Sequence, residues 1–342
     1  MIDTAKRQSS LRLLGLSSVA AGVSLISLAG GFFKPVNAQQ TQTAAPGAAG
    51  FSSGRLEIIE KFPSAKIQPR RVVIWLPPGY DAADQQDQHY SVLYMHDGQN
   101  LFDPKLAYGG QTWGVAEHLT RLQRAAIIPM HLRRTIVVGI DNSPLRWQEY
   151  APAAAVRMLS SAAQDIVLPG GVDMLLADHY LTFLVAELKP YIDQHFRTRA
   201  DRNNTFLMGS SMGGLVSLYA LSSYPAVFGG AACLSTHWPL ATSQTVLAMK
   251  DDARKQEIAR VYFKWLAQHL PEAGQHHLYF DHGSEHLDAL YAPYQMKMDE
   301  LMRIKGYRLG VDWITQVFPG GDHNETSWRE RLEIPLQFLL KV

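Results

Sequence analysis

Past residue 54 the chain alternates between short runs of branched apolar residues and longer runs whose apolar positions recur every three or four residues. The short runs lie at 71–76, 91–95, 135–140, 205–208, 229–234, 277–281 and 311–318 and read as strands. The run at 135–140 is apolar throughout, which suits a strand covered on both faces. The longer runs, 115–124, 180–195, 212–224, 253–270, 291–305 and 327–340, read as helices. In 180–195, for example, Leu181, Leu184, Val185, Leu188 and Ile192 recur at helical spacing. Alternation of this kind predicts an α/β fold with a mostly parallel sheet, helices on both faces and one domain over 55–342. No internal repeat or second domain boundary interrupts it. Residues 151–171 fit neither pattern. They are alanine-rich and hold Pro152 and Pro169, which predicts either a lid or binding loop or a solvent-exposed insertion.

The first 54 residues follow different rules. Lys6, Arg7 and Arg12 form a basic lead, 13–33 is apolar or small, and Val36-Asn37-Ala38 resembles a small-residue cleavage site. This layout predicts a signal peptide over 1–38, hence a periplasmic or secreted protein with no stable membrane insertion after cleavage. The alternative is an uncleaved anchor, which the many Gly and Ser residues of the apolar stretch disfavour. Lys6-Arg7 is a poor match to a twin-arginine signal. Residues 39–54, rich in Gln, Thr, Ala, Gly and Ser, read as a flexible leader.

Composition adds bounds. The hydrophobic fraction is 46% and the charged fraction 18%, enough apolar surface for a large core. The formal net charge is +1. Cleavage after residue 38 removes four of the 32 cationic and one of the 31 acidic side chains and leaves −2. No basic run points to nucleic acid. Cys233 is the single cysteine, so no intramolecular disulfide is expected, and its apolar setting reads as a buried strand position.

Candidate chemistry centres on Gly209-Ser210-Ser211-Met212-Gly213, a G-x-S-x-G pattern between an apolar run and a helical run. Strand, sharp turn and helix form the context of a nucleophile elbow. Only Ser211 fits, because Ser210 would need glycines where Met208 and Met212 stand. A Cβ at either flanking glycine would crowd the adjacent strand and helix. A serine hydroxyl needs a general base, and the base needs an orienting acid. His323 lies in the glycine-rich loop after the last strand, where such a base is expected. The acid is sought after the preceding strand, where Asp281, Glu285 and Asp288 compete; Asp288 is favoured and Glu285 is second. Oxyanion N–H groups are expected from Met212 and, in the Asp-Gly turn after the 91–95 strand, from Gln99, with Gly98 supplying the backbone freedom. His282 and His286 are spaced like a helical metal pair, but Gly283 argues against a helix and no third ligand is evident. No metal and no cofactor are expected.

Taken together, VLYMHDGQNLFD (92–103), TWGVAEHL (112–119), IVVGIDNSPLRWQEYAP (136–152), FLVAELKPYID (183–193), MGSSMGGLVSLYAL (208–221) and FPGGDHNETSWRERL (318–332) resemble the putative esterase family of α/β-hydrolases. That family includes esterase D, enterochelin esterases, feruloyl esterases and mycolyltransferases. The resemblance covers roughly 55–340 and implies an α/β-hydrolase fold, Ser211 as nucleophile, His323 as base and oxyanion donors at Gln99 and Met212. Relatives often carry the acid three residues after the loop glycine; His286 stands there in this chain, so Asp288 is a shifted assignment. The family's use of the loop after the fifth strand implies Trp238 as a substrate-facing wall, with a buried packing role as the alternative. The implied activity is hydrolysis of a small-molecule carboxylic ester, of a siderophore or an aryl or feruloyl type. The alternatives are acyl transfer from the same intermediate and a non-catalytic binding module on the same fold. Oligomeric state is not legible.

Overall fold

The computed structural model describes residues 53–124, 132–168, 171–248 and 253–342. The expected signal segment and most of the leader lie outside these residues. Among the described residues, eight strands form one sheet in the order β1-β2-β4-β3-β5-β6-β7-β8. They are β1 (Arg55–Phe62), β2 (Arg70–Leu76), β3 (Ser91–His96), β4 (Thr135–Ile140), β5 (Thr205–Ser210), β6 (Gly230–Leu234), β7 (His277–Gly283) and β8 (Trp313–Phe318). β1 and β2 pair antiparallel, and β2 joins β4 antiparallel; every later pairing is parallel.

The helices follow in chain order. α1 (Val115–Arg124) precedes β4. α2 (Arg146–Tyr150), α3 (Ala153–Val156), α4 (Ser161–Val167), α5 (Ala177–Phe183) and α6 (Lys189–His195) lie between β4 and β5. α7 (Met212–Ser223) joins β5 to β6. α8 (Ser243–Ala248) and α9 (Ala253–His269) join β6 to β7. α10 (Ala292–Ile304) joins β7 to β8, and α11 (Glu325–Arg331) and α12 (Glu333–Leu340) close the chain. This is the mostly parallel α/β sheet expected from the alternation, in the α/β-hydrolase arrangement that the resemblance implies.

Successive strand residues face opposite sides of a sheet, so each strand feeds two cores. Val72, Ile74, Val92, Tyr94, Val138, Leu207, Cys233 and Phe280 join one core with α5, α7, α9 and α10. Trp75, Leu93, Met95, Val137, Phe206, Met208 and Tyr279 join the other with α1 and α12. Cys233 is fully buried in β6, and burial pushes its thiol pKa up. The helix expected over 180–195 is continuous from α5 to α6 but widens into π geometry at Leu184–Leu188. Pro190 explains this, because it has no N–H for the carbonyl of Ala186 and its ring crowds that carbonyl.

Several elements differ from expectation. β1 was not legible: its register shifts between Ile59 and Phe62, so Leu56 faces one core while Ile59 and Phe62 face the other and no simple alternation survives. The single helix expected at 327–340 is two helices divided at Leu332. Residues 151–168 are not an exposed insertion, and 169–170 lie outside the described residues. α3 and α4 bury Ala153, Ala155, Val156, Ala163 and Val167. The segment is fastened by Ala154 N–H to the Tyr219 hydroxyl (3.2 Å), by Ser160 to the Glu257 carboxylate (2.7 and 2.8 Å) and by Trp147 Nε1–H to the Val167 carbonyl (2.6 Å).

Winding runs one way from β3 to β4 and the other way from β5 onward, so the loops leaving β3 and β5 diverge at a switch point, where α/β folds place their ligand crevices. β5 and α7 can meet there only because Gly209 has no side chain: a Cβ would stand 2.6 Å from the backbone of Gly213. Gly209→Ala is therefore expected to destabilise by about 1–3 kcal/mol, the usual cost of overpacking, read as a lower urea midpoint with an unchanged slope.

Candidate active site

The sharpest local feature is Ser211, which stands between β5 and α7 at φ 56°, ψ −122°. A non-glycine residue there carries backbone strain, which surrounding contacts must hold. Its N–H donates to the Leu234 carbonyl (2.9 Å), and its carbonyl accepts from Leu215 (3.1 Å) and His237 (3.2 Å). The side chain sits at the surface end of the strand, half-buried. Met212, the next residue, opens α7, so its N–H has no acceptor within the helix.

Gln99 lies in a single turn, Gly98–Asn100, after β3. That turn's first rung runs from Asn100 N–H to the Asp97 carbonyl (3.0 Å), which leaves the Gln99 N–H ahead of the ladder. The expected role of Gly98 needs correction. The left-handed residue is Asp97, at φ 57°. Gly98 is required instead for close approach, since a Cβ would come within 2.6 Å of the Gly139–Ile140 backbone. Asp97 is buried and gripped by Arg146 Nε and Nη2 (2.6 and 2.8 Å) and Asn142 Nδ2 (2.6 Å). Burial by itself would raise its pKa; the Arg146 charge and these hydrogen bonds outweigh that and hold the carboxyl below the ordinary aspartate range.

His323 lies in the loop between β8 and α11, and its Nδ1 is 2.6 Å from Asp288 Oδ1. Asp288 has no solvent exposure. Its Oδ2 accepts from the Ser235 hydroxyl (2.6 Å) and the Gly283 N–H (2.7 Å). Burial pushes the Asp288 pKa up, but the His323 contact and the other donors prevail and hold it low. With Nδ1–H given to an ionised carboxylate, Nε2 is the basic nitrogen of His323. The imidazole packs edge-on against Trp328 (5.1 Å between centroids) and Tyr291 (5.6 Å).

The other carboxylates of that loop go elsewhere. Glu285 is exposed and accepts from Ser284 (2.9 Å). Asp281 is buried, pairs with Arg331 (3.1 Å) and accepts from Tyr279 (2.9 Å). His286 is exposed and faces Asp322 (3.1 Å), whereas His282 is buried, so the two do not share a face. His237 is a second histidine near the elbow, but both its nitrogens are engaged, Nδ1 with the Tyr291 hydroxyl (2.7 Å) and Nε2 with the Ala241 carbonyl (2.6 Å). Burial lowers its pKa to about 4, which keeps it neutral.

Trp238 corrects the expectation of a substrate-facing wall. It is 1% exposed and lies in the core against Phe263 (5.5 Å), Phe280 (6.0 Å) and Tyr262 (6.3 Å). The loop that carries it turns its polar neighbours toward the site and its indole inward. The half-buried indole beside the site is Trp147, 5.7 Å from the His237 ring. Sequence reasoning also missed Ser235, Arg331, Trp328, Tyr291, Arg146 and Glu325. Asn100 Nδ2 donates to Glu325 (3.3 Å) and Arg329 donates to the Thr112 carbonyl (3.1 Å), so the loop after β3 is tied to the helix that follows His323. The signal for Arg146 and Trp147 was the stretch 136–152, legible only as a resemblance.

Ser211 at a strand–helix elbow, His323 with its Nδ1 on a buried carboxylate and the unladdered N–H groups of Met212 and Gln99 all follow the C-terminal ends of strands in the same sheet. Residues 64–338 match the family model for putative esterases. The chain belongs to the putative esterase family. Across 178 residues it is 25% identical to a Bacillus subtilis (strain 168) protein called uncharacterized protein YbbA, a match covering 52% of this chain and 61% of that protein. Among solved structures it superposes on a ferulic acid esterase with a TM-score of 0.54 at 17% identity, covering 83% of this chain and 97% of the other. For an IroE-like serine hydrolase from Shewanella oneidensis the values are 0.56, 20%, 82% and 79%. For the enterobactin esterase FES from Shigella flexneri, solved in the presence of enterobactin, they are 0.57, 20%, 87% and 60%. These likenesses establish the shared fold, and family membership makes this chain a member of an esterase class.

Two outcomes follow from the geometry. Asp97→Asn is expected to be less stable than the wild type at pH 6, and the gap should close as pH falls. The pair's contribution is present above the unfolded aspartate value near 3.9 and is lost as pH drops through the lower folded value, so urea midpoints at pH 6 and pH 3 check it. Trp238→Ala should cost about 3–5 kcal/mol of stability, as deletion of a packed aromatic does, while the KM of the folded fraction stays put.

Proposed function

We propose that this protein is an exported serine ester hydrolase in which Ser211, His323 and Asp288 act as the catalytic triad. The observation that carries the reading is the 2.6 Å contact between His323 Nδ1 and the buried Asp288 carboxylate, on the same sheet edge as a serine at φ 56°. His323 Nε2 takes the proton of the Ser211 hydroxyl as Oγ attacks the ester carbonyl. The N–H groups of Met212 and Gln99 receive the developing oxyanion; losing one such donor typically costs roughly 100- to 1000-fold in rate. The tetrahedral intermediate collapses, His323 gives its proton to the leaving alcohol and an acyl-serine remains. Water, deprotonated by His323, then releases the acid and restores Ser211. No cofactor enters the scheme.

Export rests on the leader pattern of residues 1–38. The substrate reading, a siderophore-type or aryl ester, rests on the family resemblance of 136–152 and 208–221, and the half-buried Trp147 beside His237 suits an aromatic group. Residues 39–342 are expected to hydrolyse short p-nitrophenyl esters and to take a fluorophosphonate label. Ser211→Ala should lose both by at least about a thousandfold while its circular dichroism is unchanged. A wild type that is folded, inactive and unlabelled would sink the hydrolase reading and favour a binding module.

A further inference from the structure

We propose that Ser235, which hydrogen-bonds neither the elbow nor the base, is a positioning residue that sets the proton arrangement of the His323–Asp288 pair. The inference rests on the serine-hydrolase reading and deepens it. Ser235 follows β6 at φ 41°, a left-handed conformation that a serine adopts under constraint. Its N–H is held by the Asp281 carbonyl and carboxylate, both at 3.0 Å, and the residue is fully buried.

The hydroxyl of Ser235 has three polar neighbours. Trp328 Nε1–H lies at 2.9 Å, Arg331 Nη2–H at 2.7 Å and Asp288 Oδ2 at 2.6 Å. An indole N–H and a guanidinium can only donate. They occupy both lone pairs of the Ser235 oxygen, so its one proton can go only to Asp288. The Gly283 N–H adds a second donor to the same Oδ2 at 2.7 Å. Oδ2 is thereby saturated, and Oδ1 is left as the acceptor for His323 Nδ1–H at 2.6 Å. Arg331 is balanced by Asp281 at 3.1 Å and stands 3.7 Å from Asp288. Donation therefore converges on Asp288 from two sides, from the donor-only groups through the Ser235 hydroxyl onto Oδ2 and from His323 Nδ1–H onto Oδ1.

Ser235→Ala removes the shortest donor to Oδ2. A carboxylate with fewer donors binds the imidazolium more strongly. The acid limb of the kcat/KM profile is then expected to move up by about half a pH unit, and kcat to fall about tenfold with KM within about twofold. Ser235→Cys keeps the volume but is a weak donor, and it should shift the limb in the same direction. Tyr279→Phe, which removes a donor to Asp281 at the far end of the network, should lower the urea midpoint and leave the limb in place. The low-field proton resonance of the His323–Asp288 hydrogen bond reads the same arrangement without turnover and should move in both Ser235 variants. An unmoved limb with an unmoved resonance in folded Ser235→Ala and Ser235→Cys would overturn the proposal. Loss of the hydrolase reading itself would show differently, as a wild type inactive toward esters and unlabelled at Ser211, with the resonance still deciding the role of Ser235.

Discussion

An ionised carboxylate with no solvent exposure is tolerable only if donors saturate it, and Asp288 is such a group. Its partners come from distant parts of the chain: Ser235 after β6, Gly283 at the end of β7, His323 after β8 and, one step removed, Arg331 in α11. Gly283 can serve because a Cβ there would stand 2.0 Å from the Gly321 carbonyl oxygen, so two loops touch backbone to backbone. The ends of β6, β7 and β8 must therefore be in register before the acid can be buried at all. The sheet pairings Leu234 with Asp281 and Gly283 with Phe318 provide that register.

The Ser211 side of the site depends on the same kind of close approach. Gly209 brings β5 against α7, Gly213 leaves room for Asp97 and His96 at the end of β3, and Gly98 brings the loop after β3 against β4. In each case glycine is present to remove volume. Conformational strain is borne instead by Ser211, Asp97 and Ser235, all at positive φ and all held by hydrogen bonds from neighbouring strands or ion pairs. Rigid surroundings that over-determine strained residues suit a preorganised site, where little rearrangement is needed at the moment of reaction.

Much of this was legible in the residues themselves. The strand at 135–140 and the helix at 115–124 coincide with β4 and α1 because their patterns are unbroken. β8 starts two residues later than its apolar run, since Arg308 and Asp312 form a turn that folds Leu309 back onto Trp313. The elbow and His323 could be read from local context, because a glycine-flanked serine and a glycine-rich terminal loop are contiguous signals. Trp238 could not: whether an indole beside Ser235-Thr236-His237 faces solvent or core depends on Phe263 and Phe280, which lie far along the chain. Ser235 and Arg331 were invisible for the same reason. Their meaning lies in partners 53 and 50 residues away.

Asp288 reaches His323 from a single turn, Asp288–Leu290, beyond the exposed residues Ser284, Glu285 and His286. What is defined there is a point in space, met by donors from three segments, and the intervening loop merely has to deliver a carboxylate to it. The position in the alignment column is free to drift as that loop lengthens or shortens. Counting three residues from Gly283 lands on His286, which is exposed, and misses the buried carboxylate two residues further on. Classification of inactive relatives in this fold is safer when it follows the donor cluster than when it follows the column.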